Sequence, residues 1–321
     1  MKKNLILSII LFILLIILGF LRFDLLYKIK SLNPITNYKR ITYKPTVTVL
    51  IPSYNMGSTL PAAIDSIINQ TYKDWELLVI NDGSLDKTRE ILKPYNSNYK
   101  IRIIHNRENL GLIRTLNKGL KLSRGKYIVR LDADDYSLPN RLERQIPLIE
   151  KENIDFLSQT HYYTDKIKNE KPDDLDTYSN GVHFLYRAYF SHSSCVFRKS
   201  FLTENNIEYD SNYPNAEDYA LYLAIFFKGG KIGAIGGQPV TVYQPANHSL
   251  LWWQTVKVSY EKIRVHYLSK IIPNFDRFEI LPLSFCEMLP KVIEGNKTTK
   301  VLDQKQLEKQ YKLKCTGKAK K

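Results

Sequence analysis

The residues in this chain best placed to do chemistry are three carboxylates that end an apolar run. Gly125 to Asp135 reads Gly-Lys-Tyr-Ile-Val-Arg-Leu-Asp-Ala-Asp-Asp, so Asp132, Asp134 and Asp135 follow Tyr127–Leu131 directly. The apolar run has the character of a buried strand, and open α/β sheets bind ligands at the carboxyl ends of their strands. Two carboxylates with one spacer, Asp132 and Asp134 around Ala133, can hold a hard divalent cation, which in turn can hold a diphosphate. An acidic surface turn is the plainer alternative for the tripeptide taken alone. A calcium loop of the EF-hand kind is excluded, because Tyr136 and Ser137 stand where Asn or Asp and Gly are required.

The surrounding elements present these carboxylates. Val47–Ile51 is a short β-branched run followed by Pro52-Ser53-Tyr54-Asn55 and a helix from about Ser58 to Thr71. Trp75–Ile80 is a second strand, closed by Asn81-Asp82-Gly83-Ser84, with Asp86 near the next helix start. Ile101–Ile104 is a third, after which Asn109-Leu-Gly111 opens a helix running to about Ser123; Tyr127–Leu131 is the fourth. Close alternation of strand and helix predicts a mostly parallel sheet with helices on both faces. Each strand ends in polar residues, at Ser53 and Asn55, Asp82, His105 and Asn106, and Asp132, and these ends should converge on one crevice. No Gly-x-Gly-x-x-Gly follows the first strand, so a nicotinamide-binding reading lacks its phosphate loop.

The chain has 321 residues and a net charge of +15, which suits an anionic partner such as a phosphorylated substrate or an acidic membrane surface. Between Lys291 and Lys321 ten lysines face Glu294, Asp303 and Glu308, so much of the excess lies in one tail. No nucleic-acid-binding pattern accompanies the charge, and nucleic acid is not an expected partner. Cys195, Cys286 and Cys315, odd in number and far apart, argue against a disulfide framework and for a reducing compartment. Leu5–Leu21 is apolar except for Ser8 and Gly19, just long enough to cross a bilayer at about 1.5 Å per residue. With Lys2 and Lys3 before it and Arg22, Lys28, Lys30, Lys39 and Arg40 after it, it reads as an uncleaved single-pass anchor with the rest of the chain in the cytoplasm. The sequons at Asn69 and Asn247 fall where glycans would obstruct packing or access, which favours the same side.

Taken together, Pro52-Ser-Tyr-Asn55, Gln70-Thr-Tyr72, Asn81-Asp-Gly-Ser-Leu-Asp86, Asn109-Leu-Gly111, Gly125-Lys-Tyr-Ile128 and Asp132-Ala-Asp-Asp135 resemble family-2 glycosyltransferases of the GT-A fold. The resemblance runs from about Val47 to Tyr243. It implies a nucleotide-diphospho-sugar donor, Mn2+ or Mg2+, and inversion at the anomeric carbon. By position it puts Asp82 against the nucleotide base, with Pro52, Ser53, Tyr54, Asn55, Gly83 and Ser84 around the same pocket. Asp132 and Ala133 would lie against the ribose and diphosphate, with Asp134, supported by Asp132, as metal ligand.

The acceptor half resembles the family too. Ser191–Ser200 matches the strand before the acceptor site, and Asn215-Ala-Glu-Asp-Tyr219 matches the Glu-Asp helix start. Asp218, with Glu217 as alternative, would be the base that takes the acceptor proton; acids offsetting a helix dipole are an equal reading of the pair taken alone, and the upstream motifs favour the base. His248, in Val242-Tyr-Gln-Pro-Ala-Asn-His-Ser249, falls where the family carries a further metal or diphosphate contact, although Gln244 replaces a common Arg. The Gln-x-x-Arg-Trp of processive members is absent around Leu251-Trp-Trp-Gln254, which implies transfer of a single sugar to a hydroxyl acceptor (a glycan, a lipid-linked glycan or a protein). Transfer to polyprenyl phosphate and an inactive sugar-nucleotide-binding module are the rivals. The expected organisation is an anchor over 1–22, a linker over 23–45, a GT-A domain over 46–249 split near 135 into nucleotide-sugar and acceptor halves, and a helical extension with a Lys-rich tail over 250–321, lying against anionic lipid.

Overall fold

The computed structural model describes residues 43–159, 175–178, 190–235, 240–242, 249–276, 285–300, 302, 304–311 and 315. Strands β1 (Val47–Ser53), β2 (Trp75–Asn81), β3 (Ile101–His105) and β4 (Tyr127–Arg130) pair in parallel, with β1 between β2 and β4. Every residue of β1, β2 and β4 is buried, as expected of strands covered on both faces. Beyond β4 the sheet continues through β8 (Val196–Arg198), β6 (Phe156–Gln159), β9 (Ile232–Ile235) and β7 (Leu175–Tyr178), where antiparallel pairs enter. A short antiparallel pair, β5 (Tyr136–Ser137) with β10 (Thr241–Val242), forms a separate two-stranded sheet. The order β3-β2-β1-β4 reverses direction at β1. That reversal opens a crevice beyond the carboxyl ends of β1 and β4.

Helix periodicity explains how the faces are covered. Helix α1 (Leu60–Ile68) buries Leu60, Ala63, Ile64 and Ile67, the spacing of a single apolar stripe. These residues share a core with Val47, Val49 and Ile51 and with Leu142, Ile146 and Ile149 of α4 (Arg141–Lys151), while α2 (Thr88–Leu92) adds Leu92. Leu50, of opposite parity on β1, turns to the other face. There α3 (Leu112–Leu122) comes so close that a Cβ on Gly119 would lie 2.4 Å from Leu50. After the short α5 (Lys199–Glu204), helix α6 (Glu217–Phe227) is apolar on nearly every side and buries all but Asp218, Ala224 and Phe227. Helices α7 (Leu250–Leu268), α8 (Phe285–Thr299) and α9 (Gln304–Tyr311) contribute Ile263, Tyr267, Met288, Val292 and Leu307 to this same core.

Two expectations are corrected. Among the described residues no helix is long and apolar enough to cross a membrane. The expected anchor over 1–22 and the single-pass membrane location built on it therefore have no described helix to carry them. The 19-residue α7 carries Lys257, Glu261, Lys262 and Arg264, charges that hydrocarbon does not accept; segment 5–21 lies outside the described residues. The cysteine reading also changes. Cys286 and Cys315, 29 residues apart in sequence, form a disulfide with Cα atoms 5.5 Å apart. The intervening α8 and α9 pack on each other and return the chain to its start, so linear spacing concealed the pairing. The inference of a reducing compartment, which rested on unpaired thiols, goes with it. Cys195 alone is free among the described cysteines, and it is buried.

Candidate active site

The crevice holds a cavity of about 670 Å³ lined from both halves of the domain. Pro52, Ser53 and Tyr54 reach it from the end of β1, Asp82 from β2, and Asp132, Ala133 and Asp134 from β4; Glu217 and Asp218 reach it from α6. Nine of the candidate residues therefore share one space. Asn55, Gly83 and Ser84 do not line it but build the loop behind it. His248 lies outside the described residues.

That loop fixes Asp82. Asn55, at φ 54°, accepts the Leu85 amide at 2.8 Å, while its own amide donates to Ser84 Oγ at 2.9 Å. The Ser84 amide donates to Asn81 Oδ1 at 3.0 Å. Gly83 has φ 70°, and a Cβ there would lie 2.4 Å from the Glu108 carbonyl carbon, so only glycine fits both conformation and space. Buried Asp82 accepts the amides of Leu110 (3.0 Å) and Gly111 (2.9 Å) and the side-chain amide of Asn106 (2.6 Å). The carboxylate thus joins the end of β2 to the start of α3.

Asp132 is held as firmly. Buried Arg130 donates to its Oδ1, and the Ser193 hydroxyl donates to its Oδ2 at 2.7 Å. Ser193 Oγ also accepts the Asp132 amide at 2.9 Å. Burial would raise this carboxyl, but Arg130 and the Ser193 hydroxyl outweigh it and hold it below the usual carboxylate range. Arg130 is itself set in place, because its carbonyl accepts from Arg141 Nη2 at 2.8 Å, and Arg141 also holds Gln145 and Ser137. His192, in the 3-10 turn His192–Ser194, lines the cavity with Nε2 and the Tyr209 hydroxyl 2.8 Å apart. Burial, then the Arg130 charge, pushes it down to about 3, so its imidazole is neutral.

The acids of α6 behave in the opposite way. Burial, then the Asp218 charge, raises Glu217 to about 7. Burial, with Asp132 adding to it, raises Asp218 to about 6 against the opposing Tyr219 amide, which donates to its Oδ1 at 2.6 Å. Carboxylates tuned towards neutrality inside a cavity are suited to proton transfer.

For a divalent cation the hard oxygens of Asp134 and Asp132 are chemically suitable, and both line the cavity. Among the described residues no group of three or more His, Cys, Asp or Glu side chains is arranged to hold one.

Sequence reasoning missed an entire wall. Trp252, Trp253, Val256 and Tyr260 of α7 line the cavity, whereas the sequence reading makes this segment part of a helical extension outside the catalytic site. Ser249 caps the helix by accepting the Trp252 amide at 3.2 Å. The spacing 252, 256, 260 was the available signal, because it puts three large side chains on one helical stripe.

Comparison with known proteins agrees with this geometry. The pattern of Glycosyl transferase family 2 matches residues 48–213, just over half of the 321-residue chain. An uncharacterised glycosyltransferase of Haemophilus influenzae is 30% identical over 210 residues, which cover 61% of this chain and 63% of that protein. An Escherichia coli UDP-Glc:alpha-D-GlcNAc-diphosphoundecaprenol beta-1,3-glucosyltransferase, WfaP, is 31% identical over 188 residues, 58% of this chain and 72% of its own. Among solved structures, residues 1–349 of S. aureus TarS in complex with UDP-GlcNAc align with a TM-score of 0.56 at 15% identity, covering 84% of this chain and 92% of that one. A mannosyltransferase of Pyrobaculum calidifontis, in complex with GDP-Man and Mn2+, aligns with a TM-score of 0.54 at 18% identity, covering 84% and 79%. These two establish likeness of fold alone. The chain spans less than two thirds of several curated relatives' length, 63% of the Haemophilus protein and 39% of a putative Bacillus subtilis glycosyltransferase, EpsE. From the matched pattern over most of the nucleotide-side sheet and the GT-A-like architecture that carries it, the chain belongs to glycosyl transferase family 2.

Proposed function

We propose that this chain is an inverting glycosyltransferase that moves one sugar from a nucleotide-diphospho-sugar to a hydroxyl acceptor. The observation that carries this reading is the presence of two carboxylate sets in the lining of one cavity. Asp82, Asp132 and Asp134 stand at the strand ends, while Glu217 and Asp218, raised to about 7 and 6, stand at the start of α6. Asp82 and the Pro52–Tyr54 segment are assigned to the nucleoside, and Asp132 and Ala133 to the ribose and diphosphate. Asp218 takes the proton of the acceptor hydroxyl as its oxygen bonds to the anomeric carbon; the bond to the diphosphate breaks on the opposite face, and the nucleoside diphosphate departs. Glu217 orients the helix start and is the alternative base. Mn2+ or Mg2+, held by Asp134 with Asp132, would supply neutralisation of the departing diphosphate charge.

The named activity of the Escherichia coli relative, on a diphosphoundecaprenol-linked sugar, favours a lipid-linked glycan among the hydroxyl acceptors. The experiment is a transfer assay over a panel of nucleotide sugars and glycan acceptors, with Mn2+, with Mg2+ and with excess chelator. Transfer that chelator abolishes and either cation restores is expected. Full activity in chelator would remove the metal assignment, and hydrolysis or binding without transfer would remove the transferase reading.

A further inference from the structure

Large apolar side chains are exposed in an uneven way among the described residues. Tyr54, Leu112 and Trp253 are exposed and line the cavity, while Leu250 and Leu251 belong to the same helical turn as Trp253. Leu250, Leu251 and Trp253 are 75%, 71% and 57% exposed. The core-facing side of α7 is already used by Ser259, Ile263, Tyr267 and Leu268, all buried. The first turn therefore carries largely solvent-exposed aliphatic surface at the rim of the candidate active site.

Resting on the transferase reading above, we propose that the first turn of α7 seats the hydrocarbon chain of the acceptor. The helix presents three chemistries within its first two turns. Trp252, Trp253 and Val256 wall the cavity where an acceptor sugar must sit. Exposed Lys257 lies one turn beyond Trp253 and seven residues beyond Leu250, on the same side of the helix, where an ammonium meets a diphosphate. Leu250 and Leu251 lie outside the cavity lining and offer nothing to a hydroxyl, but cover hydrocarbon well. A sugar joined through diphosphate to a long hydrocarbon has these three parts in one molecule. One helical turn is too small for a protein acceptor, since stable protein interfaces bury about 1,200 Å² or more.

The test compares Leu250→Gln/Leu251→Gln with the wild type on two acceptors carrying the same GlcNAc-diphosphate, one on a long polyprenyl chain dispersed in detergent and one on a short, water-soluble alkyl chain. Both leucines are solvent-exposed, so the fold and donor KM should not change. The double variant should raise KM about tenfold for the long-chain acceptor and less than about twofold for the short one. Equal effects on both acceptors, or none on either, would overturn the proposal. So would a loss seen only when the long-chain acceptor is embedded in vesicles and not in detergent, because the turn would then meet the bilayer and not the acceptor. Failure of the wild type to transfer to either acceptor would overturn the transferase reading first, and this assignment with it.

Discussion

Tyr260 stacks on Tyr219 with ring centroids 4.6 Å apart and planes 26° from parallel. Tyr219 follows Asp218 directly on α6, and Tyr260 lines the cavity from α7. The stack therefore ties the helix that carries the acids to the helix that walls the acceptor side. Tyr260→Ala should cost about 1–2 kcal/mol of stability through lost stacking and burial and should raise acceptor KM while leaving donor affinity intact. Tyr260→Phe keeps the rings and should restore both. Thermal unfolding together with separate donor and acceptor titrations checks this.

The pH dependence follows from the raised acids. A base must be ionised to act, so transfer should rise with pH through an inflection near 6, the value for Asp218, and level off above about 7. Stability should run the other way. Because the folded values lie above the ordinary carboxylate values, the native state holds protons that the unfolded chain has already released between about pH 4 and 7, and stability falls as pH rises through that window. Glu217→Gln removes the ionisation and should stabilise the fold by on the order of 2 kcal/mol at pH 8, with little effect at pH 4. Chemical denaturation at the two pH values measures the difference.

The disulfide makes a prediction of a different kind. Cys286–Cys315 closes a loop of 29 residues spanning α8 and α9, and a loop of that length is worth about 3.5 kcal/mol in chain entropy. Cys286→Ser/Cys315→Ser should lower the melting temperature, and reductant should lower that of the wild type but leave the variant unchanged. Equal melting of wild type and variant under oxidising conditions would show that the bond contributes nothing.

Much of the nucleotide side was legible in the sequence because its signals are local. Tyr127–Leu131 running into Asp132, and Trp75–Ile80 running into Asp82, combine a fully buried strand with polar residues at its end, and a parallel sheet makes such ends converge. Gly83 advertised a turn, although not that its Cβ would strike Glu108, which comes from a distant part of the chain. What stayed hidden depends on contacts over long separations. Ser193 holds Asp132 across 61 residues, and α7 returns to the cavity only because Tyr267 and Ile263 are drawn into the core around α6. Cys286 and Cys315 were misread for the same reason. The apolar run at Leu5–Leu21 lies outside the described residues, among which no helix is long and apolar enough to cross a membrane.

The central claim is that Asp218 is the base of a sugar transfer, and the most direct measurement compares Asp218→Asn with the wild type in donor binding and in transfer to a hydroxyl acceptor. Asp218→Asn should bind the nucleotide sugar as the wild type does, because Asp82, Asp132 and Asp134 are untouched. Its transfer rate should nevertheless fall by about 10²–10⁴-fold, the usual worth of a positioned base, and show no inflection near pH 6. Turnover by Asp218→Asn comparable with wild type on the same acceptor would contradict the account and move the base to Glu217.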